Sequence, residues 1–213
     1  MSATQTPPAE AKTPRPKLAP LAAAPPVTQR FPQARRFSRD EYYEMERCGF
    51  FQNHRAERID GEILVMAPQG FDHAFGTDSV HEQVKRALGE GFWVRNQAPL
   101  ELGLESDPEP DVSVVAGGRL DYRSHPTTAL LVIEASDSTL AYDRFEKASL
   151  YAKAGIPDYW ILDLEQRRLL VYRDPAPVPE GAAYRTQLAF KAGDTIAPLA
   201  KPDAVIAVAE LLP

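Results

Sequence analysis

Asp111 follows Pro110 at the start of one apolar run, and Glu134 closes another, Leu130-Leu131-Val132-Ile133. If both runs are strands paired antiparallel, the start of one lies beside the end of the other, and the two carboxylates meet. A period of two gives Glu134 the same face as Leu130 and Val132, with Ser136 two residues on. A carboxylate on such a face requires a partner or a metal, because burying it unpaired costs several kcal/mol. Downstream, Asp143 and Lys147 stand four residues apart in a helical stretch, with Lys147, Tyr151 and Ala154 along one side. A helix folding back over the sheet brings Lys147 to the acids. Two acids and a lysine suit metal-assisted phosphodiester hydrolysis. The acids hold Mg²⁺ through oxygen, the metal polarises the phosphoryl oxygen and activates water, and the ammonium offsets developing charge.

Each of these residues also has a plainer reading. Asp111 after a proline could open a strand or turn with no ligand role. Glu134 could form a structural ion pair with Arg58 or Arg95. Lys147 and Asp143 could be a surface pair on one helix face. His73 and His81 are eight apart, two helical turns, whereas zinc ligands on one helix usually sit one turn apart. They read as polar-face residues, with His73 capping or packing; His54 and His125 fall in loops. Tyr159 and Trp160 read as core. The sequence contains no GxxxxGK[ST], GxGxxG or GxSxG motif. The single cysteine, Cys48, leaves no Cys-rich zinc ribbon, CxxC motif or intrachain disulfide.

The elements that must position these side chains follow from local signals. Ser38 with Glu41 fits a capping box, Phe37 with Tyr42 a hydrophobic staple, and Gly49 a helix stop. Asp60-Gly61 between two short strand-like runs, within residues 55–66, signals a hairpin. Pro68 and Gly70 break the chain, and Phe75, Val80, Val84 and Leu88 recur near helical spacing up to Gly91. Strands are expected over 92–97, 100–104, 111–115 and 130–135. A helix is expected over 139–154, closed by Gly155 and Pro157, then a hairpin over 158–164 and 168–172. Two more strands and a short helix over 205–212 complete the chain. The pattern is α+β: a curved, mostly antiparallel sheet flanked by helices.

At 213 residues, 44% hydrophobic and 25% charged, the composition is that of a globular domain with a tail. Eight of the twenty prolines fall in residues 1–36, with six Lys/Arg against one acid, a net charge of +5. That stretch is poor in large apolar residues and is expected to be disordered, leaving a domain over 37–213. The domain keeps 18 basic and 29 acidic residues, a net charge of −11, which argues against a broad nucleic-acid surface. No run approaches ~18 consecutive apolar residues, and the start lacks the pattern of a secretory signal. The expected setting is cytoplasmic, with no membrane partner.

Pro110-Asp111-Val112, then Val132-Ile133-Glu134-Ala135-Ser136, then Lys147 with Tyr151, then residues 154–160 together resemble the bacterial putative restriction endonuclease family of the PD-(D/E)xK nuclease superfamily. Residues 57–66 look like that family's opening hairpin, followed by His73 ahead of a helix. The resemblance covers roughly residues 37–175 and rests on motif order and spacing. It implies a restriction-endonuclease-like fold and a Mg²⁺-dependent endonuclease acting on DNA, with Mn²⁺ as a substitute. Asp111 and Glu134 would be the metal ligands, Lys147 the catalytic lysine and Glu57 an assisting acid. Ser136 stands where the superfamily's strand lysine usually stands, so the family's lysine has moved to the next helix. The family's Glu-x-x-Ser-Pro-Ser is here Glu134-Ala135-Ser136-Asp137-Ser138, one residue short and without proline. The alternative is a relative that kept the fold, lost turnover and serves as a nucleic-acid-binding or protein-interaction module. Expected partners are DNA, bound weakly and salt-sensitively, and a second copy in a homodimer.

Overall fold

Alternation along the two central strands sets the layering. The computed structural model describes residues 34–52 and 54–213. In β5 (Leu131–Ser136) and β6 (Asp158–Asp163) every residue is buried, and alternate side chains enter different cores. Leu131, Ile133, Trp160 and Leu162 join one apolar cluster, while Val132, Tyr159 and Ile161 join another. Both faces of these strands are therefore covered, which is why their sequences read as continuous apolar runs. The expected tail lies outside the described residues as far as residue 33. Arg35 and Arg36 do contact the folded part, through Glu41 and the Asp60 carbonyl.

The main sheet has six strands in the order β3-β4-β5-β6-β7-β8: Phe92–Asn96, Val112–Ala116, β5, β6, Arg168–Val178 and Gly181–Phe190. All neighbours are antiparallel except β5 and β6. A parallel pair needs a crossover, and the chain supplies a helical one. It comprises α3 (Leu140–Tyr142), a π-helical turn (Asp143–Lys147) and α4 (Ala148–Lys153). This segment packs on the Val132 face through Ala148, Tyr151 and Ala152. The opposite face takes α2 (Phe71–Leu88) through Val80, Val84 and Leu88, with the C-terminal segment beside it. No helix among the described residues is long and apolar enough to cross a membrane.

Local signals are met closely at the N-terminal side. Ser38 caps α1 (Arg39–Arg47) in a complete capping box with Glu41. The β1–β2 hairpin (Ala56–Ile59 and Glu62–Val65) turns on Asp60 and Gly61 at φ 49° and 78°, the left-handed pair that its turn requires. Three expectations are corrected. Residues 100–104 form no strand. Gly103 turns at φ 65°, and Leu100 and Glu101 donate instead to the Pro108 and Pro126 carbonyls. The second helix stops at Leu88 with Gly89, before Gly91, and Phe75 is exposed on it. The C-terminal part is a long β7–β8 hairpin, then a small ribbon of β9 (Thr195–Ile196) with β10 (Ile206–Ala207) and one 3₁₀ turn at Val208–Glu210. Pro175 and Pro177 hid the length of β7. Past Arg173 it pairs only with β8, and such an edge tolerates proline.

Candidate active site

Antiparallel pairing of β4 with β5 sets Val112 opposite Ile133, so Asp111, just before β4, falls beside Glu134. The Asp111 N–H donates to Glu134 Oε2 at 3.2 Å, and the Ala135 N–H donates to Asp111 Oδ2 at 2.9 Å. The two acids are thus linked through the backbones of adjoining strands. Glu134 shares its sheet face with Val132 and Ser136, and the crossover helix closes over that face. Lys147 Nζ donates to Glu134 Oε1 and to Glu57 Oε1, both at 2.9 Å. Tyr151 Oη donates to Glu134 Oε1 at 2.7 Å. The structure therefore brings together Asp111, Glu134, Lys147 and Glu57, all buried.

The structural ion pairs weighed for Glu134 are not formed. Arg58 pairs with Asp107, and Arg95 donates to the Pro99 carbonyl and lies over Trp93. Nor are Asp143 and Lys147 a surface pair. Both are buried on the π-helical turn, and Asp143 Oδ2 accepts from Ser136 Oγ at 2.5 Å and Thr139 Oγ1 at 2.7 Å. Extra turns of this kind are frequent at functional sites. Tyr159 and Trp160 are fully buried, as expected.

His73 is corrected: it is not merely a capping or packing residue. Its Nε2 lies 3.0 Å from Asp111 Oδ1 and 2.9 Å from Gln69 Nε2. Gln97 Nε2 also reaches Asp111 Oδ1, at 3.3 Å, and Gln69 Oε1, at 2.9 Å. Arg55 Nη1 stands 3.7 Å from Asp111 Oδ1. The sequence signal was present for His73, in the first turn of a helix that follows a broken loop, but its partner is 38 residues away. Gln69 and Gln97 carried no signal. Arg55, Gln69, His73 and Asp111 line a cavity of about 90 Å³ together with Glu109, Asp137 and Thr139.

Charge in this cavity is unbalanced. Glu57, Asp111, Glu134 and Asp143 surround a single buried cation, Lys147. Burial pushes Glu134 up to about 8, with Lys147 opposing and Asp111, Asp143 and Glu57 reinforcing. Burial likewise raises Asp143. Burial works against the Lys147 ammonium, but Glu134, Glu57 and Asp143 outweigh it and hold it cationic. For Asp111, the His73 contact and the Ala135 N–H overcome burial and keep its carboxyl below the usual range. The two acids are thus shifted in opposite directions, Asp111 downward and Glu134 upward, although both Glu134 oxygens accept, from the Asp111 N–H, Lys147 and Tyr151. Glu57 Oε2 is buried without a hydrogen-bond partner.

Two carboxylates on adjacent strands, an excess of acid and an orphaned carboxylate oxygen suit a divalent cation. Among the described residues no three His, Cys, Asp or Glu side chains are grouped to hold a metal ion. Mg²⁺ does not need three, since it is bound through one or two carboxylates and keeps several waters.

A family model described as Uma2, putative restriction endonuclease, matches residues 39–209. The chain is similar in fold to a crystal structure titled a putative nuclease belonging to DUF820, from Anabaena variabilis. The TM-score is 0.62 at 15% identity, covering 82% of this chain and 97% of that one. No curated protein matches the chain.

Proposed function

The chain belongs to the Uma2 family of putative restriction endonucleases, and from that premise we propose that it is a metal-dependent endonuclease hydrolysing phosphodiester bonds in DNA. The observation that carries the proposal is the convergence of Asp111, Glu134 and Lys147 on one acid-rich cavity. Asp111 and Glu134 are the residues to hold Mg²⁺ or Mn²⁺, which when bound would polarise the scissile phosphoryl oxygen and lower the pKa of a water. Lys147 has three N–H donors, and Glu57 and Glu134 take two. The third serves to orient water or to offset charge on the phosphate. Tyr151 holds Glu134 in place; burial first, then Glu134 and Glu57, keep its phenol protonated. Glu57 fixes Lys147, and the Glu109 N–H donated to Glu57 Oε1 fixes Glu57 in turn.

The net charge of −11 over residues 37–213 favours a second reading, a relative that binds without turnover. Lys and Arg contacts to phosphate supply most nucleic-acid affinity, and at the site's centre four acids stand against one lysine. On the nuclease reading, DNA binding is weak and salt-sensitive, and a homodimer would supply one site per strand of a duplex. Cleavage of plasmid and oligonucleotide panels with Mg²⁺, Mn²⁺ or EDTA tests the two readings, with Asp111→Asn and Lys147→Ala as controls. EDTA-sensitive cleavage lost in both variants is expected. Intact substrate under every metal condition, from a protein whose melting also ignores both ions, would leave the binding module.

A further inference from the structure

Arg55 stands between two cavities. With Glu109 it lines both the catalytic cavity, of about 90 Å³, and a neighbouring one of about 300 Å³. Ligand pockets begin at roughly 300 Å³, so the catalytic cavity is too small for a nucleobase and its neighbour is not. The larger cavity has an aromatic wall. Tyr42 is buried and fixed there, its Oη donating to the Ala56 carbonyl at 2.6 Å. Phe51, half-buried, packs on it with ring centres 5.6 Å apart. Glu46, Gln52 and His54, all exposed, add a carboxylate, an amide and an imidazole to the lining. Aromatic faces with hydrogen-bonding groups beside them suit a base, and the Watson–Crick edge of a base is free only outside a duplex.

Arg55 supplies the phosphate end of such a site. Its Nη2 donates to the Glu109 carbonyl at 3.0 Å, whereas Nη1 stands 3.7 Å from Asp111 Oδ1, beyond hydrogen-bond range. The side chain is 29% exposed, and a guanidinium fork matches phosphate geometry. Lys147, the other Lys or Arg on the catalytic cavity, is already held by two acids. Resting on the nuclease reading, we propose that Arg55 binds the phosphate at the cut and that the larger cavity receives the adjoining base. The substrate class is then a DNA strand with an unpaired nucleotide beside the scissile bond. In a perfect duplex that base must first leave the stack, a cost that is least for a single strand or a mismatch. Stacking also adds affinity that an acidic domain does not draw from phosphates.

The test uses the full chain, Mg²⁺ or Mn²⁺, and one labelled sequence as single strand, perfect duplex and duplex with a one-nucleotide bulge. Values of kcat/KM on the single strand and at the bulge should exceed that on the duplex at least about tenfold. An abasic residue moved stepwise along the single strand should suppress cleavage of the bond beside it, a readout that needs no variant to fold. Arg55→Ala should raise KM on the single strand at least about tenfold, the scale of one hydrogen bond to a charged group. It should also keep the wild type's melting response to Mg²⁺. A duplex cut as fast as the single strand, or full cleavage beside the abasic residue, would overturn the base cavity and leave the nuclease reading standing. An unchanged KM in Arg55→Ala would overturn the phosphate contact. A wild type that cuts none of the three forms would overturn the nuclease reading, and the substrate assignment with it.

Discussion

Glu57 and Arg58 are neighbours on β1, equally buried, and they enter two very different charge clusters. Arg58 meets Asp107 through Nε at 2.7 Å and Nη2 at 2.6 Å, and gives its remaining donors to the Phe37 and Leu104 carbonyls. Arg39 Nε closes the other Asp107 oxygen at 2.7 Å. Every group there has a partner, and acid does not outnumber base. Glu57 instead joins Lys147 in a cluster where acids exceed cations, one carboxylate oxygen is orphaned and a cavity opens alongside. Charge burial alone therefore does not mark function in this molecule. The mark is burial left unbalanced next to space.

The largest effect expected from this contrast is catalytic. Asp111→Asn should lower cleavage by orders of magnitude and remove any rise in melting temperature that Mg²⁺ gives by binding the native state. Without metal it should cost only about 1 kcal/mol, because the change turns one amide N–H against the Ala135 donor or the donors at Oδ1. Paired activity assays and thermal melts read both. An Asn variant that still melts higher in Mg²⁺ would move the site off Asp111.

Arg58→Met should show the opposite profile. Breaking a buried charge network by removing one partner costs about 3–5 kcal/mol, even with Arg39 still on Asp107. Denaturant unfolding should register that loss, while the stabilisation by Mg²⁺ survives. An undiminished midpoint would mean that the closed cluster is not structural.

Glu134→Gln sharpens the comparison through pH. With its folded pKa raised to about 8 from 4.5, Glu134 holds its proton in the native state where the unfolded chain has lost it. That contribution is fully present below about 4.5 and is lost as pH rises through about 8. Metal-free wild type should therefore lose stability across that window, by at most about 1.4 kcal/mol per pH unit. The Gln variant should lack this slope in urea melts with EDTA at pH 5, 7 and 9. Parallel slopes would make the Lys147 cluster as balanced as the one around Asp107.

The smallest effect belongs to an exposed pair. Lys153 stands 3.6 Å from Asp60, with both side chains more than half exposed. Lys153→Ala should change stability by less than about 0.5 kcal/mol. A larger loss in chemical denaturation would show that surface charge contributes here as buried charge does.

Much of this was legible because it is local. The Ser38–Glu41 box, the Asp60-Gly61 turn and the apolar runs of β4, β5 and β6 each carry their signal within a few residues. The acid pair was legible because one assumption, antiparallel pairing, turned two distant positions into neighbours. What escaped depends on contacts across long stretches of chain. His73 looked like a cap because Asp111 is invisible from its helix, and residues 100–104 looked like a strand because the partners that take their hydrogen bonds are Pro108 and Pro126. The family resemblance supplied Glu57, which no spacing argument reaches from 90 residues away.

The π-helical turn at Asp143–Lys147 has a bearing on how this chain can change. Such a turn absorbs one residue beyond the α-helical count, and each residue in a helix advances the azimuth by about 100°. Everything after it, Tyr151 included, therefore faces as it would on a regular helix one residue shorter. Substitutions on the exposed side, at Arg144, Phe145 or Glu146, leave that direction intact. Removing one of them would restore a regular helix and leave Tyr151 facing Glu134. The tolerance of this segment is therefore to the loss of one residue as well as to spelling; a second loss, with no extra residue left to absorb it, would turn the tyrosine away by about 100°.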